Sequence, residues 1–159
     1  MKKIIIGTIL ILSFIVTYIA IKKVIDYNSI ASKNTRKLEK ILSQGNVVNG
    51  NVKDLIPFDY DRMIVFLPYT PLERMEKQIG FKYSKLREGV NEGTNNIVFI
   101  KGNSVVAYLE GYPSNNGYYV DMQQGEYKKE KIDNMTYTRQ RIELEKDTYG
   151  YYIFKIREE

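Results

Sequence analysis

The chain has 159 residues, 27% charged and 43% hydrophobic, with 24 Lys and Arg against 19 Asp and Glu for a formal net charge of +5. That length holds one core, or one core and a tail, and excludes a large multidomain enzyme. With neither Cys nor His, the chain has no thiolate nucleophile, disulfide, Cys- or His-liganded metal or imidazole base, which removes most familiar catalytic constellations.

The chain opens Met1-Lys2-Lys3 and runs from Ile4 to Ile21 without a charge. At 1.5 Å per residue such a stretch approaches the ~30 Å of a hydrocarbon core, so residues 1–24 read as a single-pass transmembrane anchor in the lipid bilayer. Lys2 and Lys3 at one end and Lys22 and Lys23 at the other serve as interface residues, with Tyr18 and Tyr27 flanking the far end. A cleaved secretory signal competes with this reading. Its usual apolar region is only ~7–15 residues, however, and small residues are poorly placed around Ala20 for cleavage. Residues 25–45 place Ile30, Ala31, Leu38, Ile41 and Leu42 at helical spacing among cations, with Gly45 and Asn46 as the stop. They read as a solvated basic helical stalk. The cations after the apolar run outnumber those before it, which by the positive-inside rule favours a cytoplasmic C-terminal domain. The short basic head followed at once by an apolar run instead resembles exported chains, and the expectation is an extracytoplasmic domain at the cell membrane. Residues 1–45 hold eight of the cations and two of the anions, leaving sixteen against seventeen beyond. The basic balance thus belongs to the N-terminal segment, and nucleic acid is not an expected partner.

Residues 46–159 read as one α+β domain. Asn46 to Asn51 is a joint rich in Asn and Gly, and Met63 to Leu67 is a buried strand ended by Pro68. Thr70-Pro71-Leu72-Glu73 is a helix start with Thr70 as cap, Leu72, Met75 and Ile79 as inner stripe, and Gly80 as stop. Tyr83 to Asn96 is a polar loop. Ile97 to Ile100 and Val105 to Leu109 form a hairpin around Lys101-Gly102-Asn103-Ser104, apolar on both faces and therefore central. Pro113 to Gly117 is a turn, Tyr118 to Met122 a strand, Lys128 to Asp133 a charged connection, and Thr136 to Leu144 pairs with Tyr149 to Ile156 in a last hairpin. The sum is one short helix on an antiparallel sheet of five or six strands.

Chemistry is sparse. Asp59 and Asp61, two residues apart beside Phe58 and Tyr60, would face one side of an extended segment and suit an acid–base pair or a cation. They equally suit a turn that leads into the following strand. No further oxygen ligands follow at calcium-loop spacing, Gly89 and Gly93 precede no Lys-Ser or Lys-Thr, and Ser104 and Ser114 have no base, so neither metal nor cofactor is expected. Of 14 tyrosines, twelve lie beyond the N-terminal segment, and Tyr112, Tyr118 and Tyr119 fall at a turn where an aromatic face with a hydroxyl suits contact with protein or carbohydrate.

Phe58-Asp59-Tyr60-Asp61, Phe66 to Pro71, Ile79-Gly80-Phe81 and the Ile97 to Leu109 hairpin with its Lys101-Gly102-Asn103 turn resemble a family of small exported or membrane-anchored Gram-positive bacterial proteins, many of them lipoprotein-like. That family shows an FDWD, F-x-PYT and LG run, then a VF(I/V)K hairpin. Tyr60 stands here for the usual Trp, Pro113-Ser114-Asn115 for a basic turn, and no lipid-bearing Cys is present. The resemblance implies an envelope address and an α+β fold and carries over no catalytic residue. The expected function is a non-enzymatic, membrane-tethered protein-binding domain of accessory, inhibitor or immunity type. The alternatives are a wall- or glycan-binding domain and, after it, an enzyme built on Asp59 and Asp61.

Overall fold

The computed structural model describes residues 2–46, 48–143 and 150–158, with the backbone alone given for residues 2–10, 23, 24, 27 and 28. Two helices come first, α1 (Lys2–Asn28) and α2 (Ile30–Gln44), broken at Ser29, whose extended backbone and side-chain oxygen accepting from the Ser32 N–H start the second helix. The expected transmembrane helix is corrected here. No helix among the described residues is long and apolar enough to cross a membrane. Within α1, the described side chains from residue 11 to residue 22 span only ~18 Å at the α-helical rise. The side chains of Lys2, Lys3, Lys23 and Tyr27 lie outside the described residues, whereas Lys22 lines a cleft with Asp26.

Eight strands follow among the described residues, not five or six, and they form two sheets. One orders β4 (Ser104–Gly111), β3 (Asn95–Lys101), β2 (Arg62–Val65) and β6 (Gly125–Lys128), all antiparallel. The other orders β1 (Asn49–Asn51), β7 (Met135–Ile142), β8 (Tyr151–Glu158) and β5 (Tyr118–Asp121), with β5 and β8 parallel. The hairpin turn at Gly102 and the pairing of the last two strands follow the sequence reading, and Leu144 and Tyr149 of that hairpin lie outside the described residues. The end of the supposed joint, Asn49–Asn51, pairs with β7 as β1, and the charged connection starts on Lys128, the last residue of β6, and continues as a short helix, α5 (Lys129–Asp133), whose Ile132 is fully buried.

Alternation on β2 and β3 divides the core. Met63, Val65, Ile97 and Phe99 face the second sheet, whereas Ile64, Val98 and Ile100 face the helix α3 (Leu72–Ile79). A bulge between Phe99 and Ile100 leaves Val106 without a register partner on β3, so Val106 and Ala107 share one side while Val105 and Tyr108 turn to the other. That is why both faces of β4 are apolar although it is an edge strand. Met75 and Ile79 of α3 are fully buried, but Leu72 is exposed. Pro71 takes the cap position, and the Leu72 N–H is held by Glu88 Oε1 at 2.7 Å instead of by Thr70. Arg62 closes the other end of α3 by donating to the Ile79 carbonyl at 2.7 Å.

The second correction concerns the stalk. α2 is part of the domain: Ala31, Leu38 and Leu42 are buried in its cores. Its polar side chains also close the free edge of β4, with Asn34 donating to the Val106 carbonyl at 3.0 Å and Thr35 accepting from the Tyr108 N–H at 2.9 Å. The edge of β5 is closed in the same way by buried Asn95, whose amide donates to the Tyr118 carbonyl at 3.2 Å and accepts from the Val120 N–H at 3.0 Å.

Candidate functional site

β2 ends in a tight turn, Leu67-Pro68-Tyr69-Thr70, closed by the Thr70 N–H on the Leu67 carbonyl at 3.3 Å and by Thr70 Oγ1 on the same oxygen at 2.8 Å. Pro68 suits the second position, but the third requires a positive φ that favours Gly. Tyr69 occupies it at φ 62°, alone among the described non-glycine residues, and its ring is 63% exposed. A bulky residue in this region costs ~1–3 kcal/mol and is held there by its surroundings. Here the Tyr69 N–H donates to the Gly89 carbonyl at 2.5 Å. A Cβ at Gly89 would lie 3.5 Å from the Pro68 Cα, an ordinary van der Waals contact, so the two backbones meet closely here without the site requiring a glycine.

That contact joins the turn to the loop before β3. The loop is pinned from below by the Tyr108 hydroxyl, which accepts from the Arg87 N–H at 3.2 Å and contacts Asn96 Oδ1 at 3.2 Å. Asn91 donates to the Tyr112 hydroxyl and so connects the loop to the segment after β4. Three segments linked by direct hydrogen bonds thus present Leu67, Tyr69, Leu72, Val90 and Tyr112, all large, apolar or aromatic, and exposed. A groove of about 390 Å³ lies alongside, lined by Val90, Tyr112, Arg87 and Asn116 among others.

The tyrosines singled out in the sequence are separated by the fold. Tyr112 is exposed within this surface and caps a four-residue helix, α4 (Pro113–Asn116). Tyr118 and Tyr119 are not in a loop; both lie on β5, Tyr118 at 0% exposure and Tyr119 half-buried. Asp59 and Asp61 are brought together at the β3–β4 turn and are exposed there. Asp59 pairs with Lys101, which holds its carboxyl below the usual range, and Asp61 accepts from the Gly102 N–H at 2.6 Å. Both carboxylates therefore shape a hairpin. Among the described residues no group of three or more acidic side chains is placed to hold a metal ion.

A second concavity, about 600 Å³, lies between α2 and β4 and is lined by cations and anions together, Arg36, Lys85 and Arg87 with Asp26, Glu39 and Glu110. Burial raises the carboxyls of Glu39 and Glu110 above their usual range, against the opposing pull of Tyr118 and Arg36 on the first and of Arg87 and Tyr108 on the second. Sequence reasoning missed this pair because their meeting depends on α2 docking. It also missed Leu67, Tyr69, Leu72 and Val90, for which the one local sign was an apolar Leu-Pro-Tyr turn preceding a glycine-containing loop.

No family model, curated protein or solved structure matches the chain.

Proposed function

We propose that the folded part of this chain is a non-enzymatic protein-binding module whose contact surface is the Leu67, Tyr69, Leu72, Val90 and Tyr112 patch. The observation that carries this reading is Tyr69, a large aromatic residue kept in a costly backbone conformation with its ring in solvent at the centre of linked loops. Folding alone would favour Gly there. Exposed aromatic anchors on loops held by a rigid sheet are the usual core of a protein interface. An accessory or inhibitory role at the outer side of the cell envelope is consistent with the family resemblance, and protease accessibility of the domain in intact cells checks that address.

Glycan binding is less well supported. The amides along the groove are spent internally, Asn95 on β5, Asn96 on the Arg87 carbonyl at 3.2 Å and Asn116 on the Glu110 carbonyl at 2.7 Å. A sugar would need those donors and acceptors free.

Photo-crosslinking in cells separates the readings. A benzophenone side chain at Val90 is expected to give a protein adduct of discrete mass, and the same probe at exposed Gln140 on β7 is not. Tyr69→Gly keeps the backbone bond to Gly89 and relieves the strained φ, so stability should hold or rise by ~1 kcal/mol while the adduct disappears. An adduct that survives this change, or that forms equally at both positions, overturns the proposal. Sedimentation of the chain with purified wall material, lost on Tyr112→Ala, would favour the glycan reading instead.

A further inference from the structure

If the loop patch is where a protein binds, its charged border and its bare rings specify what that protein carries. Glu73 and Glu76 stand on α3 beside exposed Leu72, Glu76 on the same helical face, and Glu88 and Glu92 bracket exposed Val90 on the loop before β3. None of the four forms an ion pair among the described residues. The cations of the same segments do not offset them. Arg87 faces Glu110, whose proton affinity its charge lowers, and Arg74 and Lys77 leave α3 about 200° and about 140° around the helix from Leu72. The patch is therefore apolar and aromatic at its centre and acidic at its border.

The rings give a second, independent sign. Elsewhere a cation lies over a tyrosine face: Lys129 over Tyr60 at 5.3 Å, Lys131 over Tyr127 at 5.4 Å and Arg139 over Tyr152 at 3.5 Å. Tyr69 and Tyr112, both exposed, carry none among the described residues, so their faces are open to a cation from outside. We infer that the patch recognises a basic apolar segment of its partner, with apolar side chains meeting Leu67, Leu72 and Val90 and interspersed lysines or arginines meeting the tyrosine faces and the four glutamates. Lysine and arginine suit such a surface because their aliphatic stems lie on apolar residues while the charge reaches the border. A polyanion, whether a nucleic acid or an anionic lipid surface, meets like charge at this border and is disfavoured. The adjoining groove of about 390 Å³ has room for a side chain of the segment.

Fluorescence anisotropy of the full chain with three labelled dodecapeptides of equal apolar content tests this, the polar positions being all lysine, all serine or all glutamate. The lysine peptide is expected to bind saturably, the serine peptide about tenfold more weakly and the glutamate peptide not at all. The advantage of lysine over serine should shrink as salt rises from about 50 to about 500 mM. Glu76→Gln combined with Glu92→Gln removes two border charges and should weaken the lysine peptide about fivefold while leaving the serine peptide unchanged, whereas Tyr69→Gly should weaken both. The salt dependence is read on the parent chain and stands even where a variant fails to fold. Equal binding of the lysine and serine peptides, binding insensitive to salt, no binding of the lysine peptide, or a lysine peptide that binds Tyr69→Gly as tightly as the parent overturns the inference. The contact surface and the basic partner fail separately. When the Val90 adduct forms in cells and is lost on Tyr69→Gly, such a result removes the basic partner and keeps the surface; absence of the adduct removes the surface itself.

Discussion

At the scale of single residues, several polar side chains perform structural work that the sequence presents as chemistry, whereas the Tyr60 hydroxyl has no hydrogen-bond partner among the described residues. Asp59 and Asp61 resemble a catalytic pair in the linear sequence and are a clasp on the Gly102 turn in space. Tyr60 is the opposite case. It packs edge-to-face on Phe99 at 5.4 Å in the main core, 2% exposed, with its hydroxyl unpartnered among the described residues and its ionisation pushed up by burial. Removing an unsatisfied buried hydroxyl while leaving the ring in place recovers desolvation free energy. Tyr60→Phe is therefore expected to raise stability by about 1 kcal/mol, with the ring contacts to Phe58, Phe99 and the Lys129 ammonium preserved. Urea unfolding of the two chains at equal slope measures it. A lower midpoint in the variant would mean that the hydroxyl has a partner.

At the scale of elements, α2 decides how the domain is put together. A solvated stalk would tolerate substitution along its whole length. A helix that closes a sheet edge would not, and Thr35 is the sharpest place to ask. Thr35→Val is nearly isosteric but removes the acceptor of the Tyr108 N–H, leaving a strand-edge donor without a partner at a cost of ~1–3 kcal/mol. Leu38→Ala, at 2% exposure in the main core, should cost ~2–5 kcal/mol, whereas Lys37→Ala on the exposed side should change stability by less than ~0.5 kcal/mol. Denaturant titration showing no difference among the three would restore the free stalk. What the sequence disclosed follows the same logic. β2, β3 and β4 were legible because their apolar runs and the Gly102 turn are local. β1, as Asn-Gly-Asn, and β6, as Gly-Glu-Tyr-Lys, carry too few apolar residues to show a period, and only their neighbours make them strands. The docking of α2 was hidden because Ala31, Leu38 and Leu42 are separated by cations and resemble the stripe of any amphipathic helix. The patch around Tyr69 was hidden because it needs two loops, distant in sequence, to meet at Gly89.

At the scale of the whole molecule, the α2–β4 seam makes stability depend on pH in an uncommon direction. Glu39 on α2 and Glu110 on β4 are both pushed above the usual carboxylate range, first by burial; the Glu110 charge adds to the shift of Glu39, and both line the same cleft. The groups facing them are Lys22 and Asp26 from α1, Arg36 from α2, Tyr83, Lys85 and Arg87 from the loop before β3, Tyr108 from β4, and Tyr118 from β5. A group that binds its proton more tightly folded than unfolded stabilises the fold once protonated, and that contribution is lost as pH rises through its folded value. From neutral pH down to the ordinary glutamate value of ~4.3, stability should therefore rise. Below that, the depressed carboxyl of Asp59, paired with Lys101, reverses the trend, because its contribution is lost as pH falls through its lowered folded value. Thermal unfolding followed by circular dichroism between pH 7.5 and about 3 should thus pass through a maximum on the acid side of neutrality. Glu39→Gln and Glu110→Gln remove the charge and keep the shape, so each should be more stable than the parent at pH 7 and show a flatter rise on acidification. A parent whose melting temperature falls steadily with pH, in parallel with both variants, would show that the two glutamates are fully solvated and that α2 does not press them against the sheet.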